Sequence, residues 1–234
     1  KYNLVVINDA AEAHGSTYNN LPISKYANIT SYSTENSKHI STGDGGIITT
    51  NDPDLAMKCR KFCSLGYHAM TADSGKVRLI AKDQLQDPNY KRHDSFAYNY
   101  RMPEIIAAAG IAQIKKANYL LKKRVSIGKG YEQIAKKYHS KINIENKMPL
   151  DKNCAYNFYW IFVKNPKEFI KIMNENNVEI GKYHDPIHTL NYYKSRKNLP
   201  NTEYMDKHHV LLPTHSNLSS KDVEKNINLT SKLS

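Results

Sequence analysis

The run Leu4-Val5-Val6-Ile7 constrains this chain more than any other feature. Consecutive apolar residues that are mostly β-branched do not alternate as a half-buried strand does; they read as a strand buried on both faces. A strand of that kind needs cover above and below, which open sheets obtain from helices, so the run predicts a layered α/β chain. It ends in Asn8-Asp9, and Ala10 to Gly15 reads as a loop or a short helical turn.

The rest of the chain keeps the alternation. Ile29 to Ser33 predicts a second strand, and Gly45-Gly46 leads into a third at Ile47 to Thr50. Asn51-Asp52-Pro53 carries a capping side chain and a proline for the first turn, so a helix is expected from Pro53 to about Ser64, stopping near Gly66. Tyr67 to Tyr98 is polar, a long excursion of the kind that is functional or disordered in compact domains. Pro103 opens a long helix, with an apolar face of Ile105, Ile106, Ala109, Ile111, Ala112, Ile114, Leu120 and Leu121. Gly128 and Gly130 are candidate points for a bend or an end, before the helical pattern resumes to about His139. Ser140 to Lys152 reads as a linker. A strand at Phe158 to Val163, a helix at Pro166 to about Asn176, a short strand at Val178 to Ile180, a loop rich in Tyr and His, and a last helix after Ser219-Ser220 follow. The expected division is residues 1–125 for a larger domain and 126–234 for a small α/β domain.

Lys plus Arg is 34 and Asp plus Glu is 22, a net charge of +12, which suits an anionic partner: nucleic acid, a membrane surface or a phosphorylated small molecule. The lysines are spread along the chain, with no Cys/His finger spacing and no basic region feeding a heptad zipper, so neither nucleic acid nor membrane is the expected partner. No apolar run approaches the roughly 18–20 residues of a membrane span. The cysteines, Cys59, Cys63 and Cys154, are too few for a disulfide framework. Cys59 and Cys63 share a helix face but lack further ligands, so no metal site is expected and they read as small buried hydrophobes in a reducing, cytoplasmic compartment.

Two segments carry chemistry. Lys38 sits in the hydroxyl-rich stretch Ser33-Thr34-Glu35-Asn36-Ser37-Lys38-His39, between two expected strands and beside the turn Gly43-Asp44-Gly45-Gly46. A lysine amine becomes a nucleophile when desolvation or a neighbouring cation, here a protonated His39, favours its neutral form. Asp9 stands at the carboxy end of the first strand, where open α/β sheets bind ligands. A carboxylate there can hold a pyridinium nitrogen protonated for an electron-sink cofactor, or cap the turn that follows.

Taken in order, Asp9-Ala-Ala-Glu12-Ala-His14-Gly, Ser33 before Lys38, Gly-Asp44-Gly-Gly after it, and Tyr98-Asn99-Tyr100-Arg101-Met-Pro-Glu resemble the DegT/DnrJ/EryC1/StrS family. Asp185-Pro186-Ile187-His188, and Leu212-Pro213-Thr214-His215 followed by Leu218-Ser219, are similar to that family's closing loops. The resemblance implies a fold-type I enzyme that uses pyridoxal 5'-phosphate (PLP) and moves an amino group, from glutamate, to a nucleotide-linked keto sugar in amino-sugar and polysaccharide biosynthesis. It implies the C-terminal part of the large PLP-binding domain, a mostly parallel sheet with helices, plus the small domain. Lys38 would hold the cofactor as the internal aldimine and then act as general acid and base. Asp9 would pair with the ring nitrogen, Glu12 would lie near the ring oxygen or the sugar where many members carry Gln, and Ser33 would bond the phosphate. Asn99 would reach the cofactor phosphate of a neighbouring subunit, so a homodimer with shared sites is implied, with Arg101 and His188 shaping the site or contacting the sugar nucleotide.

The sequence departs from the family's pattern in places. Thr34 stands where an aromatic is common, and Asp44 replaces a Glu. The family's N-terminal arm, early helices and Gly-Thr phosphate segment have no counterpart in residues 1–234. The chain is therefore expected to be a fragment of a longer protein or one part of a split enzyme, with an open sheet edge and an exposed apolar face. Two other readings stand beside the aminotransferase. One is a sugar 3-dehydratase, whose members carry His in place of the lysine; here Lys38 itself keeps the register. The other is a catalytically silent homologue acting as a basic binding module.

Overall fold

The computed structural model describes residues 2–70, 83, 86–142, 152–182, 184–193 and 197–233, with backbone alone at 133–142 and 152–153. Most of the expected linker, and residues 71–82, 84 and 85 of the polar excursion, lie outside the described residues. The chain forms two compact units, Lys1–Lys116 and Ala117–Ser234. Both mix strands and helices, as the α/β reading requires.

The first unit holds β1 (Ile7–Asp9), β2 (Thr17–Tyr18), β3 (Leu21–Pro22), β4 (Ile29–Ser33), β5 (Gly46–Thr49), α1 (Pro53–Cys63) and the start of α2 (Glu104–Ile142). Its main sheet runs β1-β4-β5. β1 and β4 are parallel, with Asp9 opposite Ser31, whereas β4 and β5 are antiparallel, with Ser33 opposite Gly46. This part of the sheet is mixed rather than mostly parallel. β5 returns directly from β4 through one loop, and a direct return forces the antiparallel sense.

The opening apolar run does not form the expected buried strand. Pairing begins at Ile7, because the Val6 carbonyl already accepts from the N–H groups of Asn28 and Ile29, and the Val6 N–H donates to Asn28 Oδ1 at 2.9 Å. Leu4 is 76% exposed and Ile7 is 75% exposed. Among the described residues the buried side chains of this unit are polar except for Ala10: His14, Thr30, Thr34, His39, Thr42 and Ser64. The first half of α2 repeats the inversion, since Ile105, Ile111 and Ile114 of the expected core-facing stripe are exposed. Helix α1 begins as its sequence predicts, with the Asp52 carboxylate accepting from the N–H groups of Asp54 and Leu55. Cys59, Cys63 and Cys154 are free thiols, half-buried rather than fully buried, and burial pushes the Cys63 thiol up with Cys59 beside it.

The second unit holds the rest of α2, then β6 (Lys152–Asn153), β7 (Tyr159–Phe162), α3 (Pro166–Glu175), α4 (Pro200–His208), β8 (His209–Leu212) and α5 (Ser220–Lys232). β7 and β8 pair antiparallel, Tyr159 opposite Leu212. Their inward residues Ile161, Val210 and Leu212 join Ile127, Tyr131, Phe169 and Met173 in one apolar core. Val178 and Ile180 are buried in that core, but 178–180 is not a strand: one bridge, Leu211 N–H to the Gly181 carbonyl at 3.0 Å, replaces a ladder. Helix α4 and strand β8 fall in the stretch read as a Tyr- and His-rich loop.

Helix α2 passes through Gly128 and Gly130 without interruption. A Cβ on Gly128 would stand 2.3 Å from the Tyr156 ring, so glycine is there to admit that ring. Tyr156 takes φ +51°, and its hydroxyl meets the Glu132 carboxylate. Beside it, the Asn157 carbonyl accepts from Arg124 Nη1 at 3.1 Å and from Thr214 Oγ1 at 2.7 Å.

Candidate active site at the carboxy ends of β1 and β4

Because β1 and β4 are parallel, their carboxy ends lie on the same edge of the sheet, and the loops that leave them carry the candidate donors. After β1, the Asp9 carboxylate accepts the Ala11 N–H at 3.0 Å, an Asx turn that bends the chain toward Glu12. The exposed Asp9 therefore does cap the following turn. After β4, Ser33 Oγ accepts the Glu35 N–H at 3.2 Å and starts the turn that leads to Lys38.

The base of the Lys38 loop is closed by buried hydroxyls. Thr42 N–H donates to the Thr34 carbonyl at 2.8 Å, Thr34 N–H donates to the Gly45 carbonyl at 2.9 Å, and Thr42 Oγ1 lies 2.7 Å from Thr34 Oγ1. Thr34 is thus turned inward. Gly45 adopts φ +130°, and a Cβ there would lie 3.0 Å from both Thr34 Oγ1 and Met102 Cε, so this turn needs glycine on both counts. Asp44 contributes its carbonyl, 2.7 Å from Thr42 Oγ1.

Within the loop, the Glu35 carboxylate accepts from the Ser37 N–H and, at 2.5 Å, from the Ser37 hydroxyl. Those bonds, with the Lys38 charge adding to them, hold the Glu35 carboxyl below its usual range. Lys38 reaches across to the first loop, where its Nζ lies 2.8 Å from Glu12 Oε1. The Lys38 side chain is 9% exposed and that of Glu12 44%. His39 faces the interior instead, its ring 5.3 Å from the buried ring of His14, which in turn lies 5.2 Å from that of Tyr32.

The strand ends thus bring Asp9, Glu12, Ser33 and Lys38 onto two adjacent loops, with a direct contact between Glu12 and Lys38. Asn99 and Arg101 form a separate pair: Arg101 Nε donates to Asn99 Oδ1 at 3.0 Å, and the guanidinium lies 6.0 Å from the Tyr67 ring centre. The strip from Tyr98 to Tyr100 runs along the end of α1, with Tyr98 N–H on the Phe62 carbonyl and Tyr100 N–H on that of Cys63. His188 belongs to the second unit, where its Nε2 lies 3.3 Å from Glu203 Oε1 and ties the 3₁₀ turn Ile187–Thr189 to α4. The Thr34–Thr42 closure and the inward His14 were not singled out in the sequence as parts of the site. The run of hydroxyl residues around Lys38 was the signal for the closure, and the motif from Asp9 to Gly15 carried His14.

The residue types at the strand ends suit one class of cofactor. They offer an amine, a carboxylate at a strand end and a hydroxyl with a nearby backbone N–H, which fit an aldehyde, a ring nitrogen and a phosphate respectively. The fold is shared with solved aminotransferases. The solved structure of the sugar aminotransferase CalS13 from Micromonospora echinospora superimposes with a TM-score of 0.80 at 20% identity, over 97% of this chain and 58% of that one. The aminotransferase PseC of Helicobacter pylori, involved in the biosynthesis of pseudoaminic acid, does so with a TM-score of 0.77 at 24% identity, over 98% and 59%. At these identities the likeness is one of fold.

The chain belongs to the DegT/DnrJ/EryC1/StrS aminotransferase family, whose model matches residues 1–229. Among curated relatives, the GDP-perosamine synthase of Escherichia coli O157:H7 is 28% identical over 94% of this chain and 56% of its own length. The chain spans just over half the length of such relatives. Among the described residues no helix is long and apolar enough to cross a membrane.

Proposed function

We propose that this chain carries the lysine half of the active site of a cytoplasmic sugar aminotransferase, which moves an amino group from glutamate to a nucleotide-linked keto-deoxy sugar. The observation that carries the reading is Lys38 Nζ, withdrawn from solvent on the loop after β4 and aimed at the loop after β1. The names of the relatives point the same way, toward GDP-perosamine synthase and UDP-4-amino-sugar transaminases.

Pyridoxal phosphate, when bound, supplies the electron sink that lets an amino group change carbon atoms. The chain's own residues then have distinct tasks. Lys38 Nζ is the nucleophile toward the carbonyl carbon and, once free, the group that carries a proton at the reacting carbon. The Asp9 carboxylate keeps a proton on the ring nitrogen, by a charge-assisted hydrogen bond at the strand end. Ser33 Oγ would donate to the phosphate. In a homodimer, Asn99 serves the phosphate bound by a second copy, while Arg101 and His188 contact the sugar nucleotide.

Incubation of the chain with pyridoxal phosphate, borohydride reduction and peptide mapping should put the adduct on Lys38, and Lys38→Ala should lose it. A folded Lys38→Ala variant that keeps the same visible spectrum and adduct yield would overturn the reading. With ¹⁵N-glutamate as donor, the sugar product should gain the label. Loss of a hydroxyl without label would assign the 3-dehydratase reaction instead.

A further inference from the structure

The ion pair at the strand ends is lopsided. Lys38 is withdrawn and Glu12 is nearly half exposed, so one partner is held and the other can leave. The groups that face Nζ come from both loops. Glu12 comes from the loop after β1 and Glu35 from Lys38's own loop, while His39 and His14 turn to the interior. Glu35 has its oxygens engaged by Ser37, and the two histidines lie against one another and against Tyr32. The carboxylate in contact with the ammonium is that of Glu12.

An amine attacks a carbonyl carbon only with its lone pair free. A carboxylate at hydrogen-bonding distance, beside a largely desolvated ammonium, favours the charged form. We infer that Glu12 is a latch on Lys38: it holds Nζ as an ammonium ion, aimed at the strand end, and frees it when the carboxylate swings toward solvent or takes another donor. Glu12 is on this account a positioning residue that sets when Lys38 can react. The assignment rests on the cofactor reading for its purpose, although the latch itself is a property of the cofactor-free chain.

The test is competitive acetylation of the full cofactor-free chain with trace acetic anhydride. In this reaction the neutral amine forms an amide, acetate leaves, and the amine proton goes to solvent. Lys38 is quantified by mass spectrometry against the exposed Lys115 and Lys116 as internal standards. In Glu12→Gln, Lys38 should react about tenfold faster than in the wild type at about pH 7.5, the change that one pH unit of amine titration produces. Toward pH 11, above the ordinary lysine range of about 10.4, the difference between the two proteins should shrink to a few-fold. Glu12→Asp keeps the charge but shortens the reach and should fall between them, which preserves the test if the Gln variant does not fold. Equal rates at the lower pH would overturn the latch. So would a difference that stays undiminished at the higher pH, because that pattern is steric shielding.

Borohydride trapping of pyridoxal phosphate is measured in parallel on the same samples. Trapping on Lys38 with unchanged acetylation ratios overturns the latch and leaves the cofactor reading. Changed ratios without trapping overturn the cofactor reading and leave the latch.

Discussion

Asp94 Oδ2 lies 2.5 Å from Lys61 Nζ, an ion pair that ties the segment after Gly66 back to helix α1. His68 Nδ1 approaches the same oxygen at 3.1 Å. Backbone bonds run beside it, from the His68 N–H to the Arg92 carbonyl and from the Asp94 N–H to the Gly66 carbonyl. The hydrogen bond from Lys61 does most to hold the Asp94 carboxyl down at about 2. A carboxyl depressed in the folded state stabilises above its ordinary range near 3.9, and that contribution disappears as the pH falls through the folded value. Amide hydrogen exchange at His68 and Asp94 should therefore be faster in Asp94→Asn than in the wild type at neutral pH. The two should converge between about pH 4 and pH 2, as the wild-type carboxylate is protonated. Equal exchange at neutral pH would refute the anchoring role.

Tyr131 is fully buried, and its hydroxyl both donates to the Pro213 carbonyl at 3.0 Å and accepts from Asn226 Nδ2 at 2.9 Å. Tyr131→Phe leaves both partners unsatisfied in the core and should cost about 1–3 kcal/mol by urea denaturation. Burial pushes the phenol up to about 12. A group whose folded value is raised stabilises below its unfolded value and loses that contribution as the pH rises. The wild type should thus weaken between about pH 10 and pH 12 by an amount that Tyr131→Phe does not show.

Gly128→Ala opposes two effects. Helix propensity favours alanine by up to about 1 kcal/mol in a helix interior. The added Cβ would meet the Tyr156 ring at 2.3 Å, and overpacking of that kind costs typically about 1–3 kcal/mol. The clash should win, lowering the urea midpoint. In a Tyr156→Ala background the same change should become neutral or stabilising. A destabilisation that persists there would show that the ring is not the obstacle.

Ser219 caps α5 in a capping box: its Oγ accepts the Asp222 N–H at 3.2 Å, and the Asp222 carboxylate accepts the Ser219 N–H at 2.8 Å. Ser219→Ala should lower stability by about 1 kcal/mol, and Ser219→Asn should restore most of it. Loss of helix at 220–224, seen by chemical shift, would localise the effect.

Much of the fold was legible from local signals. Ile29 to Ser33 is the strand its β-branched pattern predicts, Asp52-Pro53 opens α1, and Ser219 opens α5. Helix α4 and strand β8 were missed because Pro200 to His208 has no capping side chain and a weak apolar stripe, and His208 passes into β8 with no breaker between them. Val178 and Ile180 misled in the opposite sense. They are apolar and buried, but strand ladders need a partner in register, and they have a single bridge. Gly128 was read as a helix weakener, whereas its role is to make room for a ring 28 positions along the chain.

The order of residue types along the chain determined the α/β class, and it placed Asp9, Ser33 and Lys38 at strand ends, because strand runs, turn residues and hydroxyl-rich loops act over a few positions. Which residues meet across those loops was decided by the tertiary structure. The parallel register of β1 and β4 delivers Glu12 to Lys38 from 26 residues away, and the closure of Thr42 on Thr34 turns a side chain inward that local pattern left open. The same holds for burial. Leu4 to Ile7 carry the pattern of a covered strand and yet stand exposed. Hydrophobicity records what a residue gains by leaving water, while the surface it leaves water for must come from elsewhere in the folded molecule.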